Sequence, residues 1–131
     1  MKWDIVWDVG LVSIGAVAGA LLRYKVTGEG YIVYGLPVSV LMINILGSFI
    51  LGVAATGTTQ FGADPRLTLL VGIGFCGSLT TMSTFAFETA NLMDAGKFLL
   101  AGADVLLNVG ASIGAIFIGR ALLVLLLGAA G

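Results

Sequence analysis

The chain has no histidine and a single cysteine, Cys76. Without histidine it lacks the most common metal ligand and the side chain that usually switches charge near neutral pH. One cysteine excludes an internal disulfide. Charge is scarce too: six Lys and Arg and seven Asp and Glu make up 10% of 131 residues, with a formal net charge of -1. Soluble domains carry roughly a quarter charged residues. No basic surface is available for a nucleic acid, so none is expected as a partner. No pairing of a nucleophile with a base suggests an enzyme.

What fills the chain instead is apolar, with 59% hydrophobic residues and a mean hydropathy of +1.12. This composition belongs to an integral membrane protein whose solvent is a lipid bilayer. A helix needs about 20 residues to cross a hydrocarbon core of roughly 30 Å. Four apolar stretches meet that length: about Ile5 to Leu22, Leu36 to Thr58, Leu67 to Leu92 and Phe98 to Leu127. The connections are short and carry turn residues, as in Thr27 to Gly30, Gly62 to Pro65 and Met93 to Lys97. The expected fold is all-α: one domain over residues 1–131 with four transmembrane helices, since no separable water-soluble domain fits this length. The first apolar segment is long and lacks a cleavage pattern, so it reads as a span and not as a cleavable signal. Trp3, Trp7, Tyr24, Tyr31 and Tyr34 fall near span ends, where an interfacial aromatic belt forms.

Within the third span, the run from Gly74 to Phe85 is crowded with glycines, serines and threonines. Glycine permits backbone conformations that a regular helix does not use. Non-helical backbone at membrane depth is tolerated only where it is buried in protein or lines a wet cavity. The run therefore predicts a third helix broken mid-membrane, beside an ion or solute path. Asn44 and Ser48 share a face of the second span, and Asp104, Asn108 and Ser112 recur every four residues on the fourth, with Asp104 nearer the entrance. Amide and hydroxyl groups can donate hydrogen bonds to a small anion, and the edge of the Phe85 ring is electropositive. The bland alternative for each hydroxyl is an interhelical bond, or a bond to its own helix.

Orientation is balanced. The N-terminus, second loop and C-terminal side carry Lys2, Arg66 and Arg120, against Arg23, Lys25 and Lys97 on the opposite face. Without a bias of Lys and Arg the chain can insert both ways up. Two oppositely oriented copies can then pair about a two-fold axis in the membrane plane. Gly15 with Gly19, and Gly110 with Gly114, are GxxxG pairs that let helix backbones approach, within one chain or between two. Arg120 reads as a structural residue that snorkels toward the interface.

Three segments carry a family resemblance: Gly15 to Tyr24, Asn44 to Phe49, and Gly74 to Phe85 followed by Glu88. Together they resemble the Fluc (CrcB) fluoride channels over nearly the whole chain. The resemblance implies passive, fluoride-selective export across a prokaryotic cell membrane. It implies an antiparallel, dual-topology homodimer with two pores and a structural sodium ion at its centre. By position, it implies a fluoride pore lined by Asn44, Met82, Ser83, Thr84, Phe85, Asn108 and Ser112. Met82 stands where relatives often have a phenylalanine, and a thioether is apolar and flexible instead of an edge donor. Arg23 and Glu88 match vestibule positions. Gly77 and Thr80 match positions whose backbone carbonyls hold the sodium ion; hard cations prefer oxygen, and an unwound segment frees carbonyls to supply it. A small-multidrug-type dual-topology antiporter is the alternative. It would need a buried carboxylate in the first span, and Asp8 is too near the entrance.

Overall fold

The structure is a computed structural model that describes residues 2–128. The side chains expected to act at Lys2 and Trp3 lie outside the described residues, as do the ends of the expected 1–131 domain. Four helices are long and apolar enough to cross a membrane: Asp4–Gly28, Ser39–Gln60, Pro65–Asp94 and Phe98–Gly128. The chain is thus an all-α, multi-pass membrane protein, and these helices are called the first to fourth spans.

Local chemistry sets the span ends. After the first span, strands β1 (Ile32–Val33) and β2 (Leu36–Pro37) form a small antiparallel hairpin. Its two-residue turn has positive φ at Tyr34 (51°) and Gly35 (85°), the twist that favours a tight hairpin. Leu36, read from the sequence as the start of the second span, belongs to this hairpin. The Asp64 side chain accepts from the Arg66 N–H at 2.9 Å with Pro65 next in line, so an acidic cap and a pre-set φ start the third span. That span stops where Gly96 takes φ 71°, with Gly96 N–H bonding Met93 O and Lys97 N–H bonding Leu92 O. This is a Schellman stop, which satisfies carbonyls a helix end leaves open.

The third span is not uniform. Residues Thr68–Cys76 wind as a wider π-helix, and Gly77–Leu79 return to α geometry. Thr80 (φ -77°, ψ 153°) and Thr81 (φ -149°, ψ 119°) are extended, and helix resumes over Met82–Asp94. The Thr81 hydroxyl accepts from the Thr84 N–H at 3.2 Å, capping the helix that restarts. Gly77 itself keeps ordinary helical angles (φ -63°, ψ -27°).

Glycines decide which helices pair. A Cβ on Gly15 would strike the Leu70 carbonyl oxygen, and one on Gly19 the Phe75 carbonyl oxygen, so the first span lies backbone to backbone on the third. Gly52 meets the Ile116 carbonyl and Gly119 the Phe49 carbonyl, joining the second span to the fourth in the same way. A Cβ on Gly110 or Gly114 would meet nothing within 4 Å among the described residues, so the second GxxxG pair is not a close-packing site there. Val40, Ile43 and Leu79 are the largest fully buried apolar side chains. Much of the remaining apolar surface, such as Leu99, Leu106 and Leu125, is exposed and suited to lipid or a partner.

Candidate functional site

The second, third and fourth spans enclose a cleft of about 390 Å³ on the flank of the chain. Its wall includes Asn44 and Ser48 from the second span, Gly77, Thr80, Thr81, Met82 and Phe85 from the third, and Asn108 and Ser112 from the fourth. No lining residue is charged. Of the residues the sequence singles out, Asn44, Met82, Phe85, Asn108, Ser112, Gly77 and Thr80 therefore come together. Ser83 and Thr84 are not part of the lining; their hydroxyls lie 3.2 and 3.1 Å from that of Thr81. Arg23 and Glu88 are not part of this lining. Arg23 reaches the extended residues from the first span, with Nη1 3.5 Å from the Thr80 carbonyl oxygen.

The extended pair at Thr80 and Thr81 needs partners that a helix would have supplied. The Thr80 N–H still bonds Cys76 O at 3.0 Å. Thr81 is served by a side chain from another span: its N–H donates to Asn44 Oδ1 at 2.9 Å, and its carbonyl accepts from Asn44 Nδ2 at 3.3 Å. One amide thus pairs both backbone groups of an extended residue, as a neighbouring strand would. Asn44 Nδ2 also donates to Asn108 Oδ1 at 3.0 Å. Asn108 Nδ2 in turn donates to Asp104, to Oδ1 at 2.9 Å and to the backbone carbonyl at 3.2 Å.

These bonds fix the chemistry of the wall. An amide nitrogen carries two hydrogens. Both on Asn44 and both on Asn108 are engaged within the protein, so the two asparagines act here as struts between spans. The groups that face the cleft with donor capacity to spare are hydroxyls. Ser112 Oγ is buried without a protein partner among the described residues. Phe85 is almost fully buried and turns part of its ring to the cleft, whereas Met82 is 72% exposed at the rim.

Asp104, read from the sequence as nearer the entrance of the fourth span, is fully buried at 0% exposure. The reason is its partners: besides Asn108, the Thr89 hydroxyl lies 2.6 Å from Oδ2. Glu88 lies close enough to interact electrostatically with Asp104, and its Oε2 is buried without a hydrogen bond among the described residues. Thr89 escaped the sequence reading; the signal for it was a hydroxyl one position past Glu88, which periodicity does not distinguish from a lipid-facing threonine. Arg120 is exposed, 5.7 Å from the centre of the Phe117 ring, a cation–π contact that suits a structural role.

Residues 10–120 match the family model described as CrcB-like protein, Camphor Resistance (CrcB). Several curated proteins are similar over most of their length. One from Nitrosopumilus maritimus is 43% identical over 112 residues, covering 86% of this chain and 89% of the relative. One from Pyrococcus furiosus is 40% identical over 114 residues, covering 86% and 92%. One from Methanococcus vannielii is 38% identical over 110 residues, covering 84% and 90%. Each of these three relatives is named fluoride-specific ion channel FluC.

Proposed function

Because this chain belongs to the CrcB family, we propose that it is a fluoride channel whose conduction path runs along the cleft between the second, third and fourth spans. Its family makes it a non-enzymatic transporter. The observation that carries the reading is an uncharged, largely apolar cleft into which Ser48, Thr80, Thr81, Ser112 and the Phe85 ring are set, beside two extended threonines. Fluoride is small and strongly hydrated. It can enter such a wall only if hydroxyl donors replace its water, and the ring edge of Phe85 adds an electropositive surface that a larger, softer anion would use less well. In this reading the extended pair Thr80–Thr81 is the mid-membrane break of the third helix, tolerated because it lines the path.

We further propose that the working unit is an antiparallel, dual-topology homodimer in a prokaryotic cell membrane, with a pore on each side. The even count of Lys and Arg supports mixed insertion. Gly110 and Gly114, where a Cβ would meet nothing within 4 Å among the described residues, support a second copy that uses the exposed face of the fourth span. A structural sodium ion between the copies fits the donor chemistry at Gly77 and Thr80. Thr80 lies outside helical geometry and Gly77 is exposed, although the Thr80 carbonyl oxygen has Arg23 Nη1 3.5 Å away and would have to give up that contact to hold a cation. Among the described residues no group of three His, Cys, Asp or Glu could hold a metal, so such an ion would rely on carbonyls.

The test is flux. Purified chain in liposomes loaded with fluoride should release it when a potassium ionophore relieves the charge, and should retain chloride. Release that depends strictly on a proton gradient would overturn the channel reading in favour of the antiporter. A finer expectation separates the two side chains of the third span. Phe85→Ala should lower fluoride flux by roughly three- to tenfold, the scale of an aromatic edge contact of about 0.5–1.5 kcal/mol. Met82→Ala should change flux less, since the thioether lies at the rim and offers no donor. The same flux assay compares them, and equal losses would remove Phe85 from the path.

A further inference from the structure

The hydrogen bonds around the break have a polarity that can be followed from end to end. At one end the Thr81 N–H can only donate and its carbonyl can only accept, so Asn44 must present Oδ1 to the first and Nδ2 to the second. The remaining hydrogen on Asn44 Nδ2 then requires an acceptor from the fourth span, and Asn108 Oδ1 supplies it. Asn108 is thereby forced to turn its own nitrogen away from Asn44, toward position 104. A nitrogen with two hydrogens needs acceptors there, and Asp104 provides Oδ1 and its backbone carbonyl. The other carboxyl oxygen is held by the Thr89 hydroxyl.

We infer that Asp104 is a positioning residue of the conduction path: it fixes the orientation of Asn108, through it that of Asn44, and so holds Thr81 in the extended conformation beside the cleft. This rests on the channel reading above for its consequence, but the geometry it describes stands apart from which ion passes. Asp104 does not line the cleft and touches no permeant ion. Its use is that a carboxyl group has acceptors on both oxygens. Asparagine at this position can keep Oδ1 on Asn108 and give its nitrogen to the Thr89 hydroxyl, whose own hydrogen has the Phe85 carbonyl 3.0 Å away. Leucine cannot. It removes the Oδ1 acceptor, leaves a hydrogen of the buried Asn108 amide without a partner, and so loosens the amide that accepts from Asn44 Nδ2.

The experiment uses the full chain with Asp104→Leu, and Asp104→Asn as the conservative variant expected to keep near-wild-type behaviour, reading both fluoride flux in liposomes and backbone hydrogen exchange. The expectations that follow are for Asp104→Leu, and a loss as large in Asp104→Asn overturns the proposal. We expect flux to fall at least about tenfold, equivalent to about 1.4 kcal/mol. Exchange at the Thr81 N–H should speed up by a similar factor, while helical amides of the fourth span, such as Leu107, keep their wild-type rates. A change merely in overall stability would speed exchange across all spans, and that result overturns the proposal. So does an unchanged Thr81 rate, or a faster Thr81 rate with wild-type flux. Where Asp104→Leu yields no folded protein, Thr89→Val removes the 2.6 Å bond to the carboxyl with little change of shape. It should produce the same local pattern at smaller amplitude, and wild-type behaviour again overturns the idea. Failure of both variants to fold assigns Asp104 to folding and also overturns it. Wild-type chain that releases no fluoride sinks the channel reading instead, leaving the exchange data to judge the positioning.

Discussion

Gly119→Val is expected to leave little folded protein. A Cβ at this position would strike the Phe49 carbonyl oxygen and come within 3.2 Å of the Val53 nitrogen and 3.3 Å of the Phe49 carbonyl carbon. These are backbone atoms of the second span, so no side chain can rotate out of the way. The spans must separate, and separation also opens the reciprocal contact, where Gly52 lies against the Ile116 carbonyl. Overpacking usually costs about 1–3 kcal/mol, and a shift of two whole helices belongs at or beyond the upper end of that range. Nor can the loss be recovered by burial in water-excluding surroundings, because lipid is as apolar as the added methyls. Gly102→Val on the same helix is the control, since nothing lies within 4 Å of it. Size-exclusion profiles and thermal unfolding in detergent check the pair. Equal yield and equal melting would mean that the second and fourth spans do not depend on this close approach.

The contrast between these glycines marks what a sequence can and cannot carry. Both GxxxG pairs look alike in one dimension, yet Gly15 and Gly19 seat the first span on the third, while a Cβ on Gly110 or Gly114 would meet nothing within 4 Å among the described residues. Spacing reports a smooth strip on a helix, and only the packed structure says what lies against it. Span lengths were legible because lipid imposes them: three of the four expected spans match the observed helices to within a few residues at most ends. The hairpin over residues 32–37 was not, because two-residue strands leave no alternating pattern to read.

The site divides the same way. Asn44 and Asn108 stood out as amides within apolar helices, and they do meet, with 3.0 Å between them. Glycine content drew the eye to the run from Gly74 to Phe85, but permission is not obligation, and Gly77 stays helical. The extended residues are Thr80 and Thr81, set by the Asn44 amide and by the Thr81 hydroxyl that caps the following helix. Both forces come from side-chain hydrogen bonds whose partners are far apart in the chain or point back along it. The burial of Asp104 was not legible for a related reason: distance from a helix end estimates depth in the bilayer, whereas burial depends on neighbours such as Thr89 and Asn108.

Asn44→Leu should be the most damaging single change to conduction. Leucine nearly preserves the volume but removes every polar atom that holds the break. The Thr81 N–H and carbonyl lose their partners, and so does Asn108 Oδ1. Each buried group left unsatisfied costs about 1–3 kcal/mol, and the low dielectric of a membrane interior offers no water to replace the bond. The chain can escape that cost by drawing Thr80 and Thr81 into a continuous helix, which withdraws the Thr81 hydroxyl from the cleft. Fluoride flux is therefore expected to fall by at least about a hundredfold, in keeping with two or more lost bonds. Asn44→Asp provides a graded comparison. It keeps an acceptor for the Thr81 N–H but sets its second oxygen, in place of Nδ2, against both the Thr81 carbonyl and Asn108 Oδ1, so it should retain the bond to one group and lose the other two. Flux for Asn44→Asp should fall between wild type and Asn44→Leu, with the Thr81 amide more protected from exchange than in Asn44→Leu. Liposome flux and site-resolved hydrogen exchange measure both. Near-wild-type flux in Asn44→Leu would mean that the amide neither lines nor shapes the path, and the break would have to be held by the Thr81 cap alone.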